Sequence, residues 1–114
     1  MTLSNDGGSI RNLQRDLDAA MSEADWLREI MAYADKHGWD FEHVFEQRHY
    51  AKRTGKGWPD LVLLRERVVW VEAKSMKGEL SREQREVIAK LRAAGQDVFV
   101  WRPGDREQME QALE

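Results

Sequence analysis

Two short stretches of β-forming residues near the middle of the chain constrain its fold more than any other feature. The first runs from Asp60 to Arg65 (DLVLLR) and the second from Val68 to Lys74 (VVWVEAK), with only Glu66 and Arg67 between them. Valine and aromatic residues favour strands, and two such runs joined so closely are typical of an antiparallel hairpin. The sequence therefore predicts a sheet built around this hairpin.

The register of the hairpin decides where its acidic residues lie. A three-residue connection centred on Glu66 would place Asp60 opposite Glu72, on one face of the sheet together with Lys74. A two-residue connection would instead pair Asp60 with Ala73 and put the two acids on opposite faces. The turn contains no glycine or asparagine that would decide between them, so both registers stay open at this point.

In the first register, the two carboxylates face each other beside Val62 and Trp70, which would reduce their solvation. Like charges directly opposite each other destabilise a sheet. A hard divalent cation such as Mg²⁺ or Mn²⁺ would remove the repulsion, because it prefers carboxylate oxygens and water, and Lys74 could then stabilise charge on a phosphate. The alternative interpretation is an ordinary cross-strand cluster of ion pairs.

The remaining elements are predicted from caps and apolar spacing. Met1–Ser9 is predicted to be a flexible tail. Ser22 and the pair Ser81 with Gln84 are typical N-caps, and Gly95 is typical of a helix C-terminus. The expected order is a short helix over Ile10–Met21, a helix from Ser22 to about Gly38, a strand over Val44–Tyr50, the hairpin, a helix from Ser81 to Gly95, a strand over Asp97–Trp101 and a short helix over Asp105–Leu113. This order, αβββαβ with a short C-terminal helix, predicts an α/β fold with a mixed sheet of about four strands flanked by helices.

The charge is unevenly distributed along the chain. The 114 residues carry a formal charge of −3, but residues 48–78 contain 8 basic and 3 acidic side chains and are therefore net basic. The chain contains no cysteine, which excludes disulfides and cysteine zinc sites. It also contains no apolar run long enough to span a bilayer. These features predict a cytoplasmic protein with no membrane partner and with a basic region around the hairpin.

The residues around the hairpin resemble a known family of nucleases. Pro59-Asp60, followed by Glu72-Ala73-Lys74, is similar to the PD…(D/E)xK pattern of the restriction-endonuclease-like superfamily. The approach through Gly57-Trp58, the helix start at Ser81-Arg82-Glu83-Gln84 and the ending through Gly95 to Trp101 resemble one branch, the VRR-NUC domain. The resemblance covers about residues 22–113.

The resemblance implies a role for particular residues. Asp60 and Glu72 look like metal ligands, with the backbone carbonyl of Ala73 as a further ligand, and Lys74 looks like the catalytic lysine. Gln84 looks like the active-site glutamine and Glu23 like an acidic residue beside the metal. Two of these have simpler explanations that stay open: Glu23 could only complement the dipole of its helix, and Gln84 could only complete a capping box.

The resemblance also implies Mg²⁺ or Mn²⁺ as the cofactor, and branched DNA, such as a Holliday junction, flap or fork, as the substrate of a structure-selective endonuclease. Small members of this type occur in phages and bacteria, so the expected location is a bacterial or phage-infected cell. Residues 22–114 would form the nuclease domain, and residues 1–21 a possible arm of a homodimer. The alternative is an inactive nucleic-acid-binding or partner-binding module. The candidate DNA contacts are Lys52, Arg53, Lys56, Trp58 and Lys77. The four cations could also be ordinary solvated side chains, and Trp58 could simply pack under its loop.

Overall fold

The computed structural model describes residues 6–44 and 56–114. In these two ranges, four helices and four strands follow one another in the predicted order. They are α1 (Asp6–Ala20), α2 (Glu23–Lys36), β1 (Asp40–His43), β2 (Leu61–Leu64), β3 (Val68–Ala73), α3 (Arg82–Ala93), β4 (Asp97–Trp101) and α4 (Arg106–Leu113), with a short 3₁₀ turn at Pro103–Asp105 before α4.

The four strands form one mixed sheet in the order β1-β2-β3-β4. The first three strands are antiparallel to one another, and β4 lies parallel to β3. A parallel pair needs a crossover connection, which α3 provides. The prediction of an α/β fold with a mixed four-stranded sheet and flanking helices is confirmed, and the architecture is consistent with the restriction-endonuclease-like fold.

The hairpin has the register with the three-residue connection. Leu64 pairs with Val68 and Val62 with Trp70, so the turn is centred on Glu66. Continued one step beyond the last ladder pair, the same register places Asp60 opposite Glu72. The alternative register, which would have put the two acids on opposite faces, is wrong.

One face of the sheet packs against α2 and α4 to form the core. The inward-facing side chains of β2 and β3 are fully buried there, and they pack with buried tryptophan, isoleucine, methionine and leucine side chains of the surrounding elements. Two buried indoles complete the packing with hydrogen bonds to backbone carbonyls. Trp26 Nε1 donates to the carbonyl of Trp101, and Trp39 Nε1 donates to that of Leu113, both at 2.8 Å. This core fixes α2 against the sheet and so positions its first turn.

The predicted helix ends are confirmed. The Ser22 side chain accepts from the backbone N–H of Asp25 and caps α2. Ser81 and Gln84 form the complete capping box of α3. Gly95 directly follows Ala94, the C-cap residue of α3. Its φ of +86° is a left-handed conformation that suits glycine at this position.

Two predictions about the N-terminal half need correction. The predicted tail over Met1–Ser9 is too long, because α1 already begins at Asp6; residues 1–5 lie outside the described residues. Of the strand predicted over Val44–Tyr50 only Val44 is described, and it lies in a bend, while the strand β1 over Asp40–His43 was not predicted. Residues 45–50 lie outside the described residues. No helix in the described part of the chain is long and apolar enough to cross a membrane.

Candidate metal centre

Three carboxylates from separate elements meet at one end of the hairpin. Glu23 lies in the first turn of α2, Asp60 directly precedes β2, and Glu72 lies near the end of β3. One carboxylate oxygen of each lies within 4.8 Å of the other two. The sheet register and the core packing of α2 therefore bring together three acids that are distant in sequence.

Glu72 is the most constrained member of the cluster. Its side chain is only 1% exposed, and its Oε1 has no hydrogen-bond partner among the described residues. Burial, and then the neighbouring charge of Asp60, raises the pKa of Glu72 from 4.5 to about 8, although Lys74 opposes the shift. A buried carboxylate oxygen without a partner is costly, so this oxygen is suited to bind a cation.

The two other acids differ from Glu72 in their surroundings. Asp60 Oδ2 accepts a hydrogen bond of 2.9 Å from the backbone N–H of Ala73, which fixes the carboxylate across the hairpin. Glu23 is exposed, and its pKa is raised by partial desolvation, an effect that Lys74 opposes and Asp60 reinforces. The cluster thus has one anchored, one buried and one more accessible carboxylate.

Lys74 lies on the same face as Glu72, as the register predicted. The side chain is largely buried, and its Nζ lies 3.7 Å from Glu72 Oε2. Its backbone N–H donates to the carbonyl of Trp101 at 3.0 Å, which holds the residue against the end of β4. A buried ammonium group beside three carboxylates partly compensates their charge and leaves two negative charges in excess when all four groups are ionised.

Gln84 contacts both the cap of α3 and the carboxylate cluster. Its Oε1 accepts from the backbone N–H of Ser81 at 2.8 Å, while its Nε2 donates to Glu72 Oε2 at 3.0 Å. One partner is a donor and the other an acceptor, so the two contacts together define the orientation of the amide. The capping box of α3 therefore also holds a side chain of the carboxylate cluster.

The candidate DNA contacts have different positions. Lys56 is exposed and lies 3.7 Å from Glu83, and Lys77 is exposed in the turn after Lys74. Trp58 is half-buried and packs on Trp70, with ring centroids 5.5 Å apart. Lys52 and Arg53 lie outside the described residues.

Two further residues that shape the site were not predicted. A Cβ on Gly57, whose φ is +87°, would overlap the backbone carbonyl of Glu83 and lie 2.9 Å from the Gln84 nitrogen. The glycine thus lets the loop before Asp60 lie directly on the first turn of α3. Arg102 Nη2 donates to the carbonyl of Gly78 at 2.6 Å and holds the turn that carries Lys77. A glycine in a loop indicates conformational freedom, but a single sequence does not show that Gly57 lies against a helix distant in sequence.

The donor set fits a divalent metal ion. Carboxylate oxygens are the ligands that Mg²⁺ and Mn²⁺ prefer, and Glu72 Oε1 is a buried oxygen with no other partner in the described part of the chain. As far as the chain is described, the cluster contains neither histidine nor cysteine, which would favour zinc or other softer ions. Glu23, Asp60 and Glu72 could therefore hold a hard divalent cation between them.

Comparison with known proteins identifies the family of the chain. The family model of the VRR-NUC domain matches residues 15–103, which include all three carboxylates, Lys74 and Gln84. No curated protein and no solved structure matches the chain significantly. The match covers well over half of the 114 residues, so the chain belongs to the VRR-NUC domain family and is a nuclease-type domain.

Proposed function

We propose that this protein is a metal-dependent endodeoxyribonuclease that hydrolyses phosphodiester bonds of branched DNA. The observation that carries the proposal is the cluster of Glu23, Asp60 and Glu72, whose oxygens lie within 4.8 Å of one another, with Glu72 Oε1 buried and without a hydrogen-bond partner among the described residues. Three ionised carboxylates at this distance repel one another unless a cation lies between them. Membership of a nuclease-type family supports a catalytic use of that cation.

Asp60, Glu72 and the backbone carbonyl of Ala73 would hold Mg²⁺ or Mn²⁺, with Glu23 binding a second ion or a metal-bound water. When bound, such an ion lowers the pKa of water and neutralises phosphate charge. Phosphodiester hydrolysis joins a water oxygen to phosphorus and breaks one P–O ester bond, and negative charge grows on the phosphate oxygens. Lys74, whose ammonium lies 3.7 Å from Glu72, would stabilise that charge and orient the water.

Gln84 would keep Glu72 in place for this chemistry. Its amide donates to Glu72 Oε2, which favours the ionised form of the carboxylate that a metal ion requires. Its other end is held by the backbone of Ser81, so the amide cannot follow a moving carboxylate. This is the rigid support that a metal-binding residue needs.

The cations around the site would bind the DNA backbone. Lys56 and Lys77 lie on the two loops that flank the hairpin end, and Lys52 and Arg53 precede Lys56 by four and three residues in the sequence. Contacts of this kind bind phosphates without reading the bases and weaken steeply with salt. The small sheet offers little surface for base reading, which favours recognition of the shape of a junction, flap or fork.

We also propose that residues 1–21 form an arm through which two copies associate, joined to a nuclease domain over residues 22–114. Ile10, Leu13 and Leu17 of α1 are 66%, 59% and 54% exposed, although they lie on one face of the helix. A second copy would cover these side chains and provide a second active site, which symmetric cleavage of a four-way junction requires.

The experiment is a cleavage panel with a four-way junction, a flap and a linear duplex, each with Mg²⁺, Mn²⁺ or EDTA. We expect metal-dependent cleavage that is faster on the branched substrates and is lost in Asp60→Asn, Glu72→Gln and Lys74→Met. Asp97→Asn is the matched control, because Asp97 is an exposed carboxylate at the start of β4. Undiminished cleavage in all three site variants would contradict the assignment. DNA binding without any cleavage would favour the inactive binding module.

A further inference from the structure

A groove lies beside the candidate metal centre, between the loop that approaches Asp60 and the outer face of α3. Its volume is about 320 Å³. Apolar side chains of α3 form one wall and the indole of Trp58 forms the other, with two lysines included in the lining. The lining residues are Lys56, Trp58, Val87, Lys90, Leu91 and Ala94. The groove thus combines an aromatic ring, an apolar wall and positive charge.

The charge of this groove distinguishes it from other grooves on the described surface. One of those contains Asp25 and Glu29 with Arg106, a second contains Asp18 and Glu107 with Arg11, Arg15 and Arg106, and a third contains Asp40 and Glu42. Each of these grooves thus has carboxylates that would repel a polyanion, although the arginines of the second outnumber them. Among the described residues, the lining of the groove beside α3 has two cations and no carboxylate, although Glu83 lies 3.7 Å from Lys56.

The α3 residues of the groove lie farther along the helix than Gln84, which contacts the carboxylate cluster. Gln84 contacts Glu72 at the start of α3, while Val87 and Ala94 follow three and ten residues later along the same helix. At 1.5 Å per residue they lie roughly 4.5 and 15 Å farther along the helix axis. A single DNA strand with stacked bases about 3.4 Å apart would place at most about four nucleotides along the longer of these two distances.

Trp58 provides a surface for an unpaired base. It packs on Trp70 at a tilted angle of 56° and remains only half-buried, so that it has a rigid support and an accessible part. Nucleotide bases stack on such rings irrespective of sequence, while cations beside the ring bind the backbone. A groove of this volume has no room for a duplex.

We infer that this groove binds the unpaired arm of a branched DNA substrate. A base would lie against Trp58, and the backbone would run past Lys56 and Lys90. The inference rests on the proposed nuclease function, because it assumes that the scissile phosphate lies at Asp60 and Glu72. It adds that the preferred substrate has a single-stranded arm within about four nucleotides of the cut.

The test measures DNA binding in EDTA, where no cleavage occurs, with a flap whose arm carries 2-aminopurine at one position at a time. We expect its fluorescence to be quenched at the arm positions nearest the branch and to recover in Trp58→Ala. Lys90→Glu should weaken binding of the flap at least about fivefold, because it replaces a cation beside the DNA backbone with a carboxylate that repels the phosphates. Its effect on a linear duplex of equal length should be no larger than that of the matched control.

Lys36→Glu is that control, because Lys36 and Lys90 are exposed lysines in the last turns of α2 and α3, respectively. The two substitutions change the net charge and the helix-terminal charge equally. Lys90→Glu also keeps the test valid if Trp58→Ala destabilises the protein. Equal effects of the two lysine variants on the flap, or no quenching at any arm position, would overturn the inference even if the wild type cleaves DNA. Arm-specific quenching without cleavage would support the groove and contradict the nuclease proposal.

Discussion

The amide of Gln84 connects the start of α3 to the carboxylate cluster, donating to Glu72 Oε2 at 3.0 Å while its oxygen accepts from the backbone N–H of Ser81 at 2.8 Å. One side chain thus contributes both to a helix cap and to the candidate site. Any substitution of Gln84 therefore changes two things together, and the two effects must be separated by a second variant.

Gln84→Ala should lower the cleavage rate, and Ser81→Ala should not lower it comparably. Each substitution removes half of the capping box, which costs about 1 kcal/mol of stability. Only Gln84→Ala also removes the hydrogen bond to Glu72. Urea denaturation and the cleavage rate of one branched substrate measure the two effects. Equal losses of activity in the two variants would mean that Gln84 acts through the helix cap alone.

Gly57→Ala should impair cleavage far more than Gly95→Ala. Both glycines have a positive φ, +87° and +86°, so both substitutions carry the same backbone penalty of about 1 kcal/mol. A Cβ at Gly95 meets open space, but at Gly57 it meets the backbone of Glu83 and Gln84. The loop before Asp60 must then move away from α3. Similar cleavage rates in the two variants, measured below the unfolding transition, would contradict this role of Gly57.

The hairpin and its flanking helices could be predicted because their signals are local. Alternating β-forming residues define β2 and β3, while Ser22 and Ser81 mark two helix starts through side chains that bond within three residues. The register could not be predicted, since it depends on a turn, Arg65-Glu66-Arg67, with no residue that favours one loop length. The meeting of Glu23 with Asp60 was available only from the family resemblance, because it results from the packing of α2 on the sheet.

The strand β1 was not predicted because its residues carry a weak pattern. β1 comprises Asp40, Phe41, Glu42 and His43, of which only Phe41 is apolar and packs against the core. Pairing with β2 makes these residues a strand at the edge of the sheet, and no local propensity shows it. The apolar spacing of α1 predicted a helix correctly, but not that its stripe of Ile10, Leu13 and Leu17 would remain exposed.

Leu13→Asp should convert the proposed dimer into monomers. Leu13 is 59% exposed, so a charge there costs little in the isolated chain but would be buried in an interface through α1. Asn12→Asp is the control, because Asn12 is exposed and, as the residue before Leu13, lies about 100° around the helix from it. Light scattering after gel filtration gives the mass. A monomeric wild type, or the same mass for both variants, would contradict the dimer arm.

Mn²⁺ should raise the melting temperature of the wild type by several degrees. An ion that binds only the folded chain stabilises it by about 2.7 kcal/mol at one hundred times its Kd. Asp60→Asn should lose most of this shift, and Asp97→Asn, which changes an exposed carboxylate at the start of β4, should retain it. Differential scanning fluorimetry with Mn²⁺ or EDTA measures the effect. An equal shift in both variants would place the ion elsewhere.

The metal-free protein should lose stability as the pH rises from about 5 to about 8, and Glu72→Gln should reduce this loss. Burial and the charge of Asp60 raise the pKa of Glu72 from 4.5 to about 8, so the folded chain binds this proton more tightly than the unfolded chain. The resulting stabilisation is complete below pH 4.5 and is lost as the pH rises through 8.

The difference between the two proteins isolates this carboxyl from all other titrating groups. In EDTA, the free energy of unfolding of the wild type, measured in urea, should fall relative to that of Glu72→Gln across this pH range and stay parallel to it above pH 9. At pH 8 in EDTA the wild type should therefore be the less stable protein. With Mn²⁺ at the same pH it should be the more stable one, because the ion replaces the proton on Glu72 and stabilises only the wild type. Parallel curves in EDTA from pH 5 to 9 would mean that Glu72 is already ionised without metal, and that Lys74 and Gln84 are sufficient to keep it so.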